Sequence, residues 1–341
     1  MLDCSEQFKI SYLDDIYIMS IENKVLKKKV TFDGLVEVVL ILTSLFTITG
    51  FLGRFDFLLD QTSHFRVQYL VIQLLCLIFF LFKKRIKLAL ITLPFALINL
   101  FLIVPFYIPS SQPVSADSVT ENHIGILLSN VHTSNSNYKG VIEYIRKVDP
   151  EILALEEINQ RWDSELQPLL NIYKFTEICP SEDNFGIGLY SKIPFEKVRV
   201  HYFGEWGVPP SIVAKIKLGK DIVTILFTHP LPPGSRDYFN RRNKQLEEII
   251  ARKEDFGDRL IVLGDLNMTS WSYYFERFKN KMNLHDTREG FGVNPSWPTM
   301  LPIMLIPIDH CLTSHNIVTL NRKIGTNIGS DHYPVYIELG I

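Results

Sequence analysis

The sequence predicts an α+β domain that is preceded by three apolar helices. Apolar residues are concentrated between about residues 34 and 109, and strand-like and helix-like segments interleave after residue 123. Two of the strand-like segments, 212–216 and 222–227, are close enough in the chain to form a hairpin. A hairpin among interleaved strands and helices favours an α+β or α/β sandwich over a purely parallel sheet. The 341 residues suffice for one large domain or two small ones.

Three apolar segments are expected to cross a membrane, at about 34–52, 67–82 and 88–109. A spanning helix needs roughly 20 apolar residues, and the first and third segments meet that length. The second has 16 residues and reaches both interfaces if Arg66 and Lys83 extend their side chains toward the headgroups. Three such runs in succession, separated by short charged loops, are more typical of a membrane region than of buried core helices.

The distribution of Lys and Arg predicts the orientation of these helices. Basic residues cluster within 24–29 and again within 83–87, whereas the loop at about 53–66 has two basic and two acidic residues. Both basic clusters are therefore expected in the cytoplasm. With three spans, residues 1–33 form a cytoplasmic segment and the domain at 123–341 lies outside the cytoplasm. A two-span hairpin is the alternative, and it leaves the domain inside.

A polar linker at 110–122 leads into a domain whose secondary structure is predicted from its periodicity. Two segments with apolar residues at helical spacing predict amphipathic helices, Tyr138–Lys147 and Phe239–Arg252. Short runs of β-branched and other apolar residues predict strands. These strands are Ile124–Leu128, Ile152–Leu155, Ile187–Tyr190, Ile212–Ile216, Ile222–Phe227, Leu260–Leu263 and Val335–Leu339.

The charge of the domain bears on its substrate. From residue 101 onward, 24 Lys and Arg stand against 28 Asp and Glu, which gives a net charge of −4. A tight non-specific binder of duplex DNA usually carries a basic surface, so the composition gives no support for strong DNA affinity. A nuclease is not excluded, because a bound metal can supply positive charge locally.

The four cysteines show no CxxC or Cys/His zinc spacing. Cys179 and Cys311 can form a disulfide if the domain is exported, but two unpaired buried thiols are the more ordinary arrangement. A site for a soft metal is therefore not expected.

Polar side chains follow several predicted strands, at the places where sites form on a sheet scaffold. Asp309, for example, follows a short predicted strand at 306–308. Taken singly, each of these residues is more typical of a turn or of a structural contact. Together they supply hard oxygen donors, an amide and imidazoles, which are the groups used in magnesium-assisted phosphoryl chemistry. They are Asn130, Glu156, Glu157, His229, Asp265, Asn267, Asp309, His310, Asp331 and His332.

Six motifs in the chain resemble, in order, those of the endonuclease/exonuclease/phosphatase (DNase I-like) superfamily. The resemblance covers about residues 123–341, and it implies a four-layer αββα sandwich that hydrolyses phosphoesters with a divalent metal. Some bacterial members are similar in having short N-terminal transmembrane regions. The motifs are Asn130, Leu155-Glu156-Glu157, Thr228-His229-Pro230, Gly264-Asp265-Leu266-Asn267, Ile308-Asp309-His310 and Ser330-Asp331-His332.

The resemblance implies which residues hold the metal. Glu157 would be the main ligand of Mg²⁺ or Mn²⁺, Asn130 would lie beside it and help to hold the metal or the phosphate, and Asp331 would be a further ligand. The family commonly has Gln where this chain has Glu156, so the metal is assigned to Glu157 by its position in the motif.

The resemblance also implies the catalytic residues. His332 would act as a general base or as a cation that stabilises the phosphate, with Asp309 fixing its tautomer. Asp265 would orient or activate the attacking water, and Asn267 would bind the phosphate. His229 would contact a phosphate oxygen or assist the leaving group.

The arginines of the segment after His229 are a separate question. Arg236 is a further candidate for contact with substrate phosphates. Arg241 and Arg242 are expected on the solvated face of the predicted helix that follows.

These features predict a membrane-anchored, metal-dependent phosphodiesterase with a nucleic acid as the favoured substrate. One alternative is a phosphoesterase that acts on a lipid or a small molecule, similar to sphingomyelinases or inositol-phosphate phosphatases. A non-catalytic envelope protein that retains the fold is disfavoured, because every motif position holds a competent residue. The expected partners are the phosphoester substrate and the lipid bilayer around the N-terminal helices, and no obligate protein partner is inferred.

Overall fold

The computed structural model of the protein describes residues 31–109, 123–204 and 207–341. The predicted linker and all but the last residues of the predicted cytoplasmic segment lie outside the described residues. The helices are α1 Phe32–Thr49, α2 Phe57–Gln61, α3 Arg66–Phe82, α4 Ile86–Ile103, α5 Tyr138–Val148, α6 Gln160–Glu165, α7 Arg236–Ala251 and α8 Tyr273–Met282. The strands are β1 His123–Asn130, β2 Ile152–Glu156, β3 Phe175–Cys179, β4 Ile187–Ser191, β5 Phe195–His201, β6 Ser211–Leu218, β7 Asp221–Thr228, β8 Leu260–Asp265, β9 Leu284–Asp286, β10 Asp309–Ser314, β11 Val318–Ile324 and β12 Val335–Gly340.

The strands form two six-stranded sheets, in the orders β11-β12-β1-β2-β4-β3 and β5-β6-β7-β8-β10-β9. Most neighbours are antiparallel, but the central pairs β1–β2 and β7–β8 are parallel. Parallel neighbours end at the same edge of their sheet. Glu156 at the end of β2 accepts a hydrogen bond from the backbone N–H of Asp265 at the end of β8. The carboxyl ends of both central pairs therefore meet at one edge of the sandwich.

The two sheets face each other across the main hydrophobic core. Successive side chains of a strand point to opposite faces. In β1, Ile126 and Leu128 join the core between the sheets, whereas Leu127 packs outward in a cluster with Val141 of α5. On the other outer face, α7 and α8 cover the second sheet through residues such as Leu246. The order helix, sheet, sheet, helix confirms the predicted αββα sandwich.

The seven predicted strands and both predicted helices of the domain are present. The helix α7 begins at Arg236 because Ser235 caps it, accepting a hydrogen bond from the backbone N–H of Tyr238. The strand predicted at 306–308 is wrong, since β10 begins at Asp309 and Ile306 forms only an isolated bridge. Pro307 has no N–H to give to a ladder, and the isoleucines on either side of it line a cleft instead.

The apolar region contains two helices long enough to cross a membrane, Phe32–Leu52 and Ile86–Tyr107. The remaining apolar helix, α3, has 17 residues, so two of the three expected spans have the length that a crossing needs. The prediction that Arg66 extends to the interface is wrong. Its side chain is buried, and Nη1 donates to the carbonyl oxygen of Thr47 in the neighbouring helix at 2.7 Å.

One end of the helical region is docked on the domain. The carbonyl oxygen of Phe106, just after α4, accepts a hydrogen bond from Gly290 N at 3.0 Å. In the first turn of α3, Gln68 Nε2 donates to the carbonyl oxygen of Leu305 at 2.8 Å. The basic loop at 83–87 joins the far ends of α3 and α4. The domain and this loop therefore lie at opposite ends of the helices.

Cys179 and Cys311 are both free thiols, which is the more ordinary of the two arrangements considered. Cys311 lies in the core between the sheets, and Cys179 is half-buried at the end of the edge strand β3. The two sheets are therefore held together by their apolar core and not by a bond between these two residues.

Candidate active site

A cleft of about 570 Å³ opens at the edge of the sandwich where β2, β7 and β8 end. The strands β10 and β12 run antiparallel to their neighbours, so the start of β10 and the turn before β12 lie at the same edge. The sheet topology therefore brings motifs that are far apart in the sequence together at this edge. The predicted site residues that line the cleft are Glu157, His229, Asp265, Asn267, Asp331 and His332.

His332 and two aspartates form an acid–base group on the wall of the cleft. His332 Nδ1 lies 2.9 Å from Asp309 Oδ2, and His332 Nε2 lies 3.7 Å from Asp265 Oδ2. Burial alone would lower the pKa of His332, but the carboxylate of Asp309, together with those of Asp265 and Asp331, raises it to about 10. The attraction of the imidazolium outweighs burial and holds the pKa of Asp309 below its ordinary value. At neutral pH the two residues are therefore an imidazolium–carboxylate pair.

The Gly-Asp-Leu-Asn motif forms a tight turn at the end of β8. Gly264 has a φ of +147°, and a Cβ there would lie 1.9 Å from the carbonyl oxygen of Thr228, so this position requires glycine. Asp265 Oδ1 accepts a hydrogen bond from Asn267 N at 2.8 Å, while Oδ2 faces His332. Burial raises the pKa of Asp265 well above its ordinary value, which makes the ionised carboxylate a stronger proton acceptor.

His229 lies on the other side of Asp265. Its Nε2 is 3.7 Å from Asp265 Oδ2, and the ring is buried. Burial lowers the pKa of His229 to about 4, so the imidazole is neutral at pH 7. Its Nδ1 has no hydrogen-bond partner among the described residues. His229 therefore offers the cleft an uncharged polar group.

Glu157 presents its carboxylate to the cleft from a turn with a left-handed backbone, φ +62°. Its Oε1 accepts a hydrogen bond from Asn130 Nδ2 at 2.9 Å, and its Oε2 accepts one from Thr133 N at 3.1 Å. The amide oxygen of Asn130 is itself engaged by the backbone N–H of His132 at 3.0 Å. Asn130 therefore positions the carboxylate of Glu157.

Asp331 lines the same cleft, next to His332 in the chain. Its Oδ2 accepts a hydrogen bond from Trp297 Nε1 at 3.0 Å, and its buried Oδ1 has no hydrogen-bond partner among the described residues. Carboxylate oxygens such as those of Glu157 and Asp331 are the hard donors that Mg²⁺ prefers. The residues of the cleft therefore fit a divalent cation.

A second group of possible ligands overlaps the acid–base group. Asp265, Asp309 and His332 each place one ligand atom within 4.8 Å of the others. An imidazole must be neutral to bind a metal, whereas Asp309 holds His332 in its protonated form. The chemistry of the donors therefore favours proton transfer for these three residues, and a cation for Glu157 and Asp331.

Glu156 is buried at the join between the two sheets. Its Oε1 accepts a hydrogen bond from the backbone N–H of Asp265 at 2.8 Å. Burial, with the nearby charges of Asp265 and Asp309, raises the pKa of Glu156 well above its ordinary value. Burial therefore disfavours the charged form of this carboxyl group, which occupies the position where the family commonly has Gln.

Two arginines lie elsewhere than the sequence indicated. Arg236 is outside the cleft, with its guanidinium 2.6 Å from Asp56 Oδ2 and its side chain 60% exposed, so its contact with substrate stays a prediction. The prediction that Arg242 lies on a solvated face is wrong. Arg242 is fully buried, where Nη1 donates to the carbonyl oxygen of Asn267 at 2.8 Å and Nη2 is 3.4 Å from Asp60 Oδ2.

The segment between α1 and α3 supplies cleft residues that the sequence analysis missed. Gln61 and His64 line the cleft. His64 Nδ1 lies 3.0 Å from Thr269 Oγ1, and Asp60 Oδ1 accepts a hydrogen bond from Ser272 Oγ at 2.8 Å. The available signal was the placement of Asp60 and His64 four residues apart in the loop at about 53–66.

A model of the endonuclease/exonuclease/phosphatase family matches residues 127–332 of the chain. The chain belongs to this family. It is accordingly a hydrolase of phosphoester bonds, in a family whose enzymes depend on a divalent metal. The matched range contains every residue predicted to bind the metal or to take part in catalysis. No curated protein matches the sequence of the chain.

Among the solved structures that share the fold are three whose matches each cover 64% of this chain. A family member from Bacteroides vulgatus matches over 99% of its own chain, with a TM-score of 0.55 and 17% sequence identity. The human nocturnin catalytic domain with a bound sulfate matches over 94% of its chain, with a TM-score of 0.54 and 17% identity. Danio rerio TDP2 complexed with a single-stranded DNA product matches over 99% of its chain, with a TM-score of 0.54 and 14% identity. At these identities the likeness shows the shared fold of the domain.

The buried contact between Asp60 and Arg242 generates a testable prediction. Asp60→Asn leaves the guanidinium of Arg242 buried without its counter-charge, which typically costs about 3–5 kcal/mol. We expect the apparent midpoint of thermal unfolding of the detergent-solubilised full chain, followed by tryptophan fluorescence, to fall by several degrees. Turnover of a soluble phosphodiester should also fall, because Arg242 holds the backbone of Asn267.

The matched control is Asp56→Asn, which removes an aspartate that pairs with an arginine of α7 in solvent. Its unfolding midpoint should stay close to that of the unmodified chain, since water screens an exposed pair. Equal midpoints for Asp60→Asn and Asp56→Asn would show that the buried pair does not stabilise the docking.

Proposed function

We propose that the protein is a membrane-anchored phosphodiesterase that uses Mg²⁺ or Mn²⁺. The observation that carries the proposal is the meeting, in one cleft, of two groups. One is the His332–Asp309 pair facing Asp265, and the other is the carboxylates of Glu157 and Asp331. Hydrolysis of a phosphodiester requires a proton acceptor for the attacking water and positive charge around the phosphate. Asp265 provides the proton acceptor. The imidazolium of His332, and a metal bound by Glu157 and Asp331, would provide the positive charge.

The residues of the cleft divide the work of hydrolysis. Asp265 holds the attacking water and accepts its proton through Oδ2. The imidazolium of His332 donates from Nε2 to a phosphate oxygen, and Asp309 keeps that ring charged and oriented. Asn267 and the neutral His229 bind other phosphate oxygens without adding negative charge. Glu157 and Asp331 would hold a divalent metal, and this metal would supply Lewis-acid stabilisation of the charge that develops on the phosphate.

The bond that these residues would cleave is common to nucleic acids and to phospholipids. A nucleic-acid substrate is supported by Danio rerio TDP2, whose structure contains a single-stranded DNA product. The net charge of −4 from residue 101 onward gives no general attraction to a polyanion. The choice between these substrate classes therefore depends on the surroundings of the cleft.

Membrane anchoring is supported by the lengths and the placement of the apolar helices. Phe32–Leu52 and Ile86–Tyr107 are long enough to span a bilayer, and many of their large apolar side chains are exposed. The basic loop at 83–87 lies at the end of the helices away from the domain. Basic loops stay in the cytoplasm, so the domain at 123–341 would lie on the extracytoplasmic side, as the three-span topology predicts.

The metal assignment is tested with two neighbouring glutamates. Glu157→Gln removes a ligand charge, so the Mg²⁺ or Mn²⁺ concentration for half-maximal hydrolysis of bis-p-nitrophenyl phosphate should rise by about tenfold or more. Titration of the protein with Mn²⁺ alone, followed by electron paramagnetic resonance, should show the same loss of affinity.

Glu156→Gln is the matched control for that experiment. Gln keeps the acceptor for the backbone N–H of Asp265 and is the residue common at this position in the family. Metal affinity should stay close to that of the unmodified chain. Loss of affinity in Glu156→Gln with retention in Glu157→Gln would reverse the assignment.

The pairing of Asp309 with His332 generates a second prediction. Asp309→Asn keeps a hydrogen-bond acceptor for His332 Nδ1 but removes the charge that holds the imidazolium. We expect kcat for bis-p-nitrophenyl phosphate to fall about 10²- to 10⁴-fold, the usual worth of a positioned acid or base. Asp183→Asn, at the exposed rim of the cleft, should change kcat little. A similar small change in both variants would argue against the acid–base role.

The orientation of the domain is tested by cysteine labelling in intact cells that express the full chain. Glu254→Cys places a thiol on the exposed surface of the domain, and Lys87→Cys places one in the basic loop. A membrane-impermeant maleimide should label Glu254→Cys above the level of the parent chain in intact cells. It should label Lys87→Cys only after permeabilisation. The opposite pattern would support the two-span hairpin.

A further inference from the structure

Residues 298–305 form an apolar loop at the mouth of the cleft. The loop is closed at its base by Trp297 and Ile306, which exchange backbone hydrogen bonds of 3.1 and 2.6 Å. Within the loop, Thr299 N donates to the carbonyl oxygen of Asp331 at 2.8 Å. Neither the loop nor its base contains a charged residue. Trp297 and Ile306 also line the cleft, so the base of the loop is part of its wall.

The tip of this loop exposes large apolar side chains. Met300 is 87% exposed, Ile303 is 75% exposed and Leu301 is 51% exposed. Single exposed apolar residues are common on soluble proteins, but several of them together mark a surface that contacts a membrane, another protein or a ligand.

The loop lies at the level where the helices leave the domain. The carbonyl oxygen of Leu305 accepts a hydrogen bond from Gln68, which belongs to the first turn of α3. Phe55 and Leu58, in the segment between α1 and α3, are also largely exposed, at 63% and 60%. With α1 and α4 in the bilayer, the contact between Gln68 and Leu305 would place the end of this loop and the segment between α1 and α3 close to the interfacial layer.

The cleft opens among these same elements. Ile306 and Ile308, which follow the loop, line it, and so do Gln61 and His64 from the segment that precedes α3. Apolar side chains at the base of the loop and just after it therefore line the same cleft as His332.

We infer that the substrate of this cleft is a membrane phospholipid, whose acyl chains lie beside the 298–305 loop while its phosphodiester headgroup enters the cleft. This inference rests on the proposed phosphodiesterase function and names its substrate class. Affinity for nucleic acid comes mainly from Lys and Arg around the site, whereas this mouth is bordered by an uncharged loop. Apolar contact contributes roughly 25 cal/mol per Å² of surface removed from water, and the loop tip offers such surface to acyl chains.

The reaction is a hydrolysis and needs no further reagent. The oxygen of water forms a bond to phosphorus, and one P–O bond to an esterified alcohol breaks. The proton of the water passes to Asp265, and the departing alkoxide takes a proton from solvent. Phosphatidylcholine would give phosphocholine and diacylglycerol, or choline and phosphatidic acid, according to which P–O bond breaks.

The test compares two substrates on the full chain reconstituted into phosphatidylcholine vesicles with Mg²⁺ or Mn²⁺. Choline and phosphocholine released from the vesicles report hydrolysis of lipid, and bis-p-nitrophenyl phosphate reports hydrolysis of a soluble diester. The variant Met300→Ser/Ile303→Ser makes the loop tip polar. We expect it to lower lipid turnover by roughly tenfold or more, because apolar contact with the bilayer is lost, and to leave turnover of the soluble diester unchanged.

Tyr202→Ser is the matched control, since Tyr202 is 63% exposed. It follows β5, which is the edge strand of the second sheet that lies farthest from β9 and β10. This variant should change neither activity. Hydrolysis of the soluble diester or of a single-stranded oligonucleotide without hydrolysis of lipid would overturn the inference and leave the proposed function standing. Equal effects of the loop variant on lipid and soluble diester would also overturn it. Absence of turnover on every substrate, with His332→Ala indistinguishable from the unmodified chain, would instead overturn the proposed function.

Discussion

The hydrogen bond between the carboxyl group of Glu156 and the backbone N–H of Asp265 joins the two halves of the site. Asn130 and Glu157 come from the first sheet, whereas Asp265 and Asp309 come from the second. The apolar core between the sheets sets their separation. It opposes the sliding of one sheet over the other only weakly, because apolar contacts are not directional. A directional bond buried at the join fixes how the ends of β2 and β8 meet. In the proposed mechanism, this bond helps to hold the carboxylates of Glu157 and Asp265 in the same cleft.

The order of motifs along the chain was sufficient to predict the sandwich and most of the cleft. Asp265 and His332 could be assigned because each follows or precedes a strand whose apolar pattern is clear, so the end of that strand fixes the residue's place. The prediction failed where an apolar pattern had another cause. The apolar residues Ile306 and Ile308 resemble a strand in the sequence, but they are apolar because they line the cleft. Pro307 between them was the residue that indicated against a strand.

The contacts of the N-terminal region could not be predicted from local pattern. Arg242 lies in a helix whose periodicity places it among polar residues, and its burial is explained by Asp60, far away in the chain. Periodicity reports how a residue stands within its own helix and carries no information about a partner from another segment. The segment between α1 and α3 was assigned to the membrane loop on its charge count, although it completes the wall of the cleft through Gln61 and His64.

Gly290 and Gly292 decide how closely the end of α4 approaches the domain. Both donate backbone N–H groups to the carbonyl oxygen of Phe106, and a Cβ on Gly290 would lie 2.9 Å from the Cα of Pro109. The domain is thus seated directly on its helices. A catalytic domain on a long flexible linker can reach substrates at any distance from the membrane that the linker allows. With its helices in a membrane, as proposed, a seated domain would stay at one height above the bilayer. Lateral diffusion within the membrane, and not the length of a linker, would then determine which substrates it meets.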